Sequence, residues 1–178
     1  MAHLPSFRRQ PIVFLTAATF EGRRLLDNDQ SHRILRGIWE RSAERNGWFV
    51  GDYFLMPDHV HFFAQPGPDP DLMREWVKTW KSVSARQIIK ALSVKAPVWQ
   101  DDYFDRYLRS TESYAQKWEY VRSNPVRAGL VVRREDWPYH GFSIWDCNRG
   151  SPPKRAEGSP PPALDAPKPG GAVPSRRT

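Results

Sequence analysis

The run MPDHVHFFA at residues 56–64 decides how the rest of the chain is interpreted. His59 and His61 are separated by one residue, so on a β-strand their side chains point to the same face. The valine and phenylalanine that alternate with them then point to the opposite face, toward a core. The preceding Pro-Asp pair is typical of the centre of a type I turn. We therefore predict a hairpin, with residues 48–56 as its first strand and His59 at the start of its second.

Two imidazoles on one rigid face can bind a divalent metal ion. The alternative is that one histidine packs in the core while the other faces solvent. The pair alone does not distinguish a metal site from this structural role.

Composition indicates a folded protein with an anionic partner. The chain has 178 residues, of which 39% are hydrophobic, including eight Trp and nine Phe, which is enough for one domain with a core. The net charge of +7 and the pI of about 9.8 favour nucleic acid as the partner. The single cysteine, Cys147, excludes an internal disulfide framework and a cysteine-based zinc site.

The N-terminus lacks the long apolar segment of a signal peptide, and no apolar run of the sequence is long enough to span a membrane. We expect neither a signal peptide nor a membrane span, and therefore a cytoplasmic protein. Residues 150–178 are rich in Pro, Gly, Ala, Ser and basic residues, which predicts a disordered basic tail behind a domain of residues 1–149.

Hydrophobic periodicity and capping residues predict the element order β-α-β-β-α-β-α. The strands are predicted at residues 11–20, 48–56, 59–65 and 97–109, and the helices at 27–46, 71–94 and 112–123.

The helix predicted at residues 71–94 has a basic face that includes Arg74, Lys78 and Lys81. Such a face is compatible with phosphate contacts, and equally with the solvated side of an amphipathic helix.

Tyr120 and Asn124 are four residues apart, so both can emerge on one face at the end of the last helix. A tyrosine hydroxyl, whose ordinary pKa is about 10, is a poor nucleophile. A divalent ion that polarises a phosphodiester makes attack by tyrosine feasible. Asn124 could supply a third ligand oxygen beside the two histidines. The alternative is that Tyr120 is a core aromatic residue and Asn124 only ends the helix.

Four motifs in this order carry a family resemblance: MPDHVHFF at 56–63, WKS at 80–82, VWQDDYFD at 98–105 and YVRSNPVRAGLV at 120–131. Over about residues 8–145 the chain resembles the REP-associated tyrosine transposases of the HUH single-tyrosine transposase superfamily. One departure is Asp58, where the family usually has Asn. Since this is a turn residue, we expect the change to matter little.

The resemblance implies an α+β fold: an antiparallel sheet with helices packed on one face, ferredoxin-like or RRM-like. It implies that His59 and His61 hold Mg²⁺ or Mn²⁺, that Tyr120 is the nucleophile, and that Asn124 is the third ligand. The implied activity is metal-dependent cleavage and joining of single-stranded DNA through a 5′-phosphotyrosine. The implied substrates are repeated extragenic palindromic hairpins with a single-stranded flank.

Residues expected to contact phosphates are Arg74, Lys78, Lys81, Arg122 and Arg127, although Arg127 could instead pair with a carboxylate. We expect no small-molecule substrate, and the choice between monomer and homodimer stays open. Two other functions are compatible with the sequence. One is a catalytically silent nucleic-acid-binding module, and the other is a metal-dependent nuclease that uses water as the nucleophile.

Overall fold

The computed structural model describes residues 11–108 and 111–143. Its central hairpin joins β2 (Trp48–Leu55) to β3 (His59–Pro66) in antiparallel pairing. The turn between them is closed by the Met56 backbone N–H, which donates to the His59 carbonyl at 2.8 Å. The predicted hairpin and its Pro-Asp turn are therefore confirmed.

The hairpin is part of a five-stranded antiparallel sheet. It is completed by β1 (Val13–Ala18), β4 (Phe104–Tyr107) and β5 (His140–Phe142), in the order β4-β1-β3-β2-β5. Two details differ from the prediction. The strand expected over residues 97–109 is shorter, and β5 was not expected. β5 pairs with β2 over three residues only, which is too short for an alternation pattern to be read from sequence.

The first predicted helix begins and ends at its predicted signals, but it is divided into two. The Asn28 side chain caps α1 (Asp29–Glu40) by accepting the Ser31 N–H at 2.9 Å. A break at Arg41 separates α1 from α2 (Ser42–Asn46), which ends at Gly47 with a φ of 70°. The remaining helices are α3 (Met73–Leu92), α4 (Thr111–Arg122) and the short α5 (Asn124–Arg127).

Helices α1 and α3 cover one face of the sheet. Their buried side chains pack on the alternate residues of β1 and β3, and the ring centroids of Trp39 and Phe62 lie 4.9 Å apart. Burial of each large side chain contributes about 1.5–3 kcal/mol. The main members of this core are Leu15, Leu35, Trp39, Val60, Phe62, Trp76, Trp80 and Ile88.

Helix α4 packs on the other face of the sheet. The ring of Tyr114 lies 4.1 Å from that of Phe63, and Trp118 packs edge-on against Phe54 and Phe63. The expected α+β fold with an antiparallel sheet is confirmed, with α1 and α3 on one face as predicted. The second, smaller core under α4 is an addition that positions the candidate site described below.

The predicted tail at residues 150–178 and its boundary with the domain lie outside the described residues. Within the part of the chain that the structure describes, no helix combines the length and apolar character needed to cross a membrane.

Candidate active site

The two histidines of the hairpin lie side by side on the α4 face of β3. Their ring centroids are 4.7 Å apart and their planes are nearly perpendicular, at 78°. Val60 and Phe62, which alternate with them, are fully buried against α1 and α3. The predicted division of β3 into a core face and a histidine face is confirmed.

His61 is held by contacts from two other elements. Its Nδ1 lies 2.8 Å from the Thr16 hydroxyl on β1, and its Nε2 lies 3.4 Å from the Asn124 amide nitrogen at the start of α5. Since the amide nitrogen can only donate, the two contacts are consistent with one tautomer. In this tautomer Nδ1–H donates to the Thr16 hydroxyl, and the Nε2 lone pair accepts the Asn124 N–H. Nε2 is therefore the ring atom available to a metal ion.

Burial keeps the His61 ring neutral. It stacks on Phe14, with centroids 5.5 Å apart and an interplanar angle of 18°. Burial, followed by the neighbouring His59 and Lys117, lowers the pKa of His61 to about 3. A neutral imidazole is the form that binds metal ions.

His59 is oriented by the residue before it. Its Nδ1–H lies 2.7 Å from the Asp58 carboxylate, which leaves Nε2 free on the open side. A carboxylate that fixes a metal-binding imidazole is a common second partner in metal sites. Asp58 is therefore more than a turn residue, because its side chain positions one of the two candidate ligands. The expectation that Asp in place of Asn matters little stays a prediction, since an Asn side chain also has an oxygen that can accept the His59 Nδ1–H.

These side chains fit a divalent ion with open coordination positions. Among the described residues there is no cluster of three or more His, Cys, Asp or Glu side chains that could hold a metal. Two Nε2 atoms and the Asn124 amide would therefore be the protein donors. The Asn124 amide has its nitrogen toward His61. Rotation about the terminal torsion of this side chain costs little and would place the amide oxygen at the same point, where it can bind a metal ion. Imidazole donors favour Mn²⁺ over Mg²⁺.

Tyr120 lies on α4, the helix that packs on the histidine face of the sheet, and 54% of its surface is exposed. Two cations face its ring. The Lys117 ammonium is 6.0 Å from the ring centroid, and the Arg127 guanidinium carbon is 4.9 Å from it. Tyr120 is therefore not the core aromatic residue that the alternative interpretation required.

Tyr114, the other tyrosine of α4, has a different environment. Its hydroxyl donates to the Asp52 carboxylate and its ring packs on Phe63. Burial raises its pKa, and the Asp52 contact raises it further. Tyr114 is therefore part of the second core.

Lys117 was not among the predicted site residues. Its ammonium lies 5.2 Å from the centroid of Phe14, the ring that stacks on His61, and it also faces Tyr120. The available signal was helical spacing, since Lys117 is three residues before Tyr120 and shares its side of α4. The Lys117 ammonium therefore lies between Tyr120 and the Phe14 ring that stacks on His61.

Of the predicted phosphate contacts, two are on the site's side of the sheet. Among the described residues Arg127 pairs with no carboxylate, and it packs on the Tyr120 ring instead. Arg122 is half-exposed at the end of α4, where it forms an ion pair with Glu119 at 3.4 Å.

The three predicted contacts on α3 are not at the site. Arg74 and Lys78 are exposed on a helix that covers the opposite face of the sheet from His61. Lys81 is only 8% exposed, and its ammonium donates to the backbone carbonyls of residues 100–102. Burial lowers the pKa of Lys81 against the opposing effect of the nearby carboxylates. The prediction that Lys81 contacts phosphates was wrong, because all three of its protons are used inside the protein.

Comparison with known proteins identifies the family. The family model described as "Transposase IS200 like" matches residues 13–124, a range that begins at β1 and includes both histidines, Tyr120 and Asn124. A REP-associated tyrosine transposase of Escherichia coli (strain K12) is 30% identical over 112 residues, covering 62% of this chain and 61% of that protein. A candidate REP-associated tyrosine transposase of Haemophilus influenzae is 26% identical over 116 residues, covering 60% of this chain and 66% of the relative.

The match thus spans less than two thirds of the length of either relative. Among solved structures, the fold matches that of a REP-associated tyrosine transposase bound to a REP hairpin. The TM-score is 0.57 at 21% identity, covering 79% of this chain and 82% of that one. The resemblance seen in the motifs is therefore confirmed by independent comparisons of sequence and fold. The chain belongs to the IS200-like transposase family.

Proposed function

We propose that this protein is a metal-dependent single-strand DNA endonuclease and strand transferase that uses Tyr120 as its nucleophile. The observation that carries the proposal is the contact between Asn124 and Nε2 of His61. It joins the start of α5, directly after the tyrosine helix, to the histidine strand. Tyr120 is four residues before Asn124, so this contact brings the tyrosine end of α4 toward the two imidazoles. A binding module would have no need of this convergence.

The chemistry assigned to Tyr120 is an exchange of phosphodiester bonds. Its phenolic oxygen forms a bond to phosphorus while the bond from phosphorus to the 3′ oxygen breaks. The phenolic proton leaves to solvent, and the departing 3′ oxygen takes up a proton to become a free hydroxyl. The 5′ end is then linked to the protein as a phosphotyrosine, and no water is consumed, so the same hydroxyl can reverse the step or a new end can replace it.

The other side chains hold the phosphate for this attack. Lys117 and Arg127, which both lie near the Tyr120 ring, attract the phosphate and oppose the charge that develops on it. His59, His61 and Asn124 would hold Mg²⁺ or Mn²⁺, which when bound polarises the phosphodiester. Asp58 and Thr16 keep both imidazoles in the tautomer with an unprotonated Nε2.

The proposed substrates are repeated extragenic palindromic hairpins with a single-stranded flank. Support comes from the relatives, which are REP-associated transposases, one of them bound to a REP hairpin. The net charge of +7 also favours DNA. The free 3′ hydroxyl and the covalent 5′ end would allow the protein to rejoin strands as well as to cut them.

The decisive experiment is a denaturing gel of the full chain with a hairpin oligonucleotide labelled at its 3′ end and Mn²⁺. We expect a labelled band at the mass of protein plus DNA, and its loss with chelator or with His61→Ala. Binding without cleavage would support the silent binding module instead. Cleavage without the covalent band, unaffected by Tyr120→Phe, would support a hydrolytic nuclease.

A further inference from the structure

An aromatic side chain is exposed on the same face of the sheet as the histidines. Phe104, the first residue of β4, is 55% exposed. In the sheet register Thr16 pairs with His61 on one side and with Phe104 on the other. Residues directly opposite on antiparallel strands share a face. Phe104, Thr16 and His61 therefore form one row across three strands, and strand spacing puts Phe104 about 10 Å from His61.

The next residue of β4 on this face is a cation. Arg106 is exposed and pairs with Phe14, the ring that stacks on His61 and lies beneath the Lys117 ammonium. Within the described residues Arg106 has no carboxylate partner. An exposed aromatic ring with cations on the same face of the sheet suits a ligand with a flat apolar part and a negative backbone.

We propose that Phe104 and Arg106 form a stacking site for unpaired bases of single-stranded DNA next to the metal site. A base stacks on Phe104, and the adjoining phosphates contact Arg106 and Lys117. Aromatic residues in a basic groove bind single strands in this way, because every base has a flat face. The inference rests on the proposed function, and it adds where the unpaired flank of the substrate lies.

The edge strand is also rigid enough to present the ring. The Lys81 ammonium ties residues 100–102 to α3 just before β4 begins, and the Leu108 N–H donates to the Ile12 carbonyl at 2.8 Å just after it ends. The other occupant to consider for an exposed sheet edge is a second copy of the chain. In a dimer formed through this edge, the Arg106 side chains of the two copies would lie close together, and each copy has a net charge of +7. The two copies would repel each other, so negatively charged DNA is the favoured occupant.

The chain provides a matched control in Tyr107. It lies on the same strand, is similarly exposed at 51%, and pairs with Val13 on the face covered by α3. The test uses the full chain with Tyr120→Phe, so that binding is measured without covalent capture. The probes are a hairpin with an unpaired flank that carries 2-aminopurine at successive positions, and the same hairpin without the flank.

We expect Phe104→Ala to weaken binding of the flanked hairpin by at least about fivefold and to leave the flankless hairpin unaffected. Phe104→Trp should retain binding, and Tyr107→Ala should change the affinity for neither probe. At one position of the flank, stacking on Phe104 should quench the 2-aminopurine fluorescence, and this quenching should be lost only in Phe104→Ala. Equal effects of Phe104→Ala and Tyr107→Ala, or no effect of either, would overturn the proposal. So would a shift of Phe104→Ala from dimer to monomer in sedimentation with unchanged DNA binding.

The two proposals can fail separately. Stacking that depends on Phe104, together with no covalent band from the unmodified chain, would retain the stacking site and overturn the tyrosine chemistry. A covalent band with no dependence on Phe104 would do the reverse. Failure of the unmodified chain to bind either hairpin would overturn both.

Discussion

The Asn124 amide lies 3.4 Å from Nε2 of His61, across 63 positions of sequence. Asn124 begins α5, immediately after the turn at Ser123 that ends α4, and Pro125 occupies the first turn of the new helix. Proline is tolerated there because its missing N–H has no partner in the first turn of a helix. The Asn-Pro pair thus ends the tyrosine helix and directs the amide at the histidine strand.

This contact predicts a role for Asn124 in metal binding. Asn124→Ala removes the third donor and should weaken Mn²⁺ binding, while DNA binding measured without metal stays unchanged. Asn124→Asp, which retains an oxygen donor and adds charge, should bind Mn²⁺ at least as tightly as the unmodified chain. Isothermal titration with Mn²⁺ measures both variants. An identical titration for Asn124→Ala would remove this residue from the site.

Asp58 gives a second prediction about the metal. Loss of a partner that orients a metal ligand typically costs about 10- to 100-fold in metal affinity, so Asp58→Ala should weaken Mn²⁺ binding by this amount. Asp58→Asn should have a smaller effect, because an amide oxygen can still accept the His59 Nδ1–H. Mn²⁺ affinity by electron paramagnetic resonance distinguishes the two variants. Equal affinities for Asp58→Ala and the unmodified chain would mean that the contact has no functional role.

The basic residues on the two faces of the sheet should respond differently to salt. Lys117→Met should flatten the dependence of log affinity on log salt by about one unit, because one phosphate contact is lost. Lys78→Met, an equivalent change on the far face, should not alter the slope. Fluorescence anisotropy with hairpin DNA at several salt concentrations measures both. A flatter slope for Lys78→Met and an unchanged slope for Lys117→Met would instead place the DNA across α3.

Much of the site could be predicted because its signals are local. The alternation around His59 and the four-residue spacing from Tyr120 to Asn124 depend only on strand and helix geometry. Lys81 could not be predicted in the same way. Its position on α3 follows the same helical rhythm as Lys78, but the carbonyls that surround it come from about 20 residues further along the chain. Burial of a lysine is decided by such tertiary contacts, which helical periodicity does not contain.

Dependence on tertiary contacts also explains why other residues of the site were not predicted from the sequence. Phe104 was noted only as part of a β-like motif, because its exposure depends on β4 being the edge strand of the sheet. Thr16 gave no signal at all, since its contact with His61 requires the β1–β3 register. Asp58 was judged by its turn propensity, and its hydrogen bond to His59 is a side-chain property that propensity does not include.

A partly buried histidine away from the site predicts how stability depends on pH. Nε2 of His32 lies 3.1 Å from the Tyr53 hydroxyl, and burial, followed by the charge of Arg36, lowers the pKa of His32 below its ordinary value of 6.5. Above pH 6.5 neither the folded nor the unfolded state binds the proton. Below it the unfolded chain binds the proton first, so the free energy of unfolding falls as the pH decreases, by up to about 1.4 kcal/mol per pH unit.

Removal of the titrating group should reduce this pH dependence. His32→Gln should have a smaller loss of stability between pH 6.5 and pH 5 than the unmodified chain, whatever its stability at neutral pH. Urea unfolding at several pH values measures the slope. An unchanged slope would assign the acid sensitivity to other groups.

The last prediction concerns the two tyrosines of α4. Tyr120→Phe removes one oxygen from an exposed ring, so the variant should fold, bind Mn²⁺ and bind hairpin DNA, yet form no covalent adduct. Tyr114→Phe should retain the adduct. It should also lower stability by about 1–3 kcal/mol, because the Asp52 carboxylate loses its buried donor. Denaturing gels and urea unfolding of the same two proteins measure both properties. An adduct that persists in Tyr120→Phe and disappears in Tyr114→Phe would show that the nucleophile is misassigned, while cleavage unaffected by either change would identify water as the nucleophile.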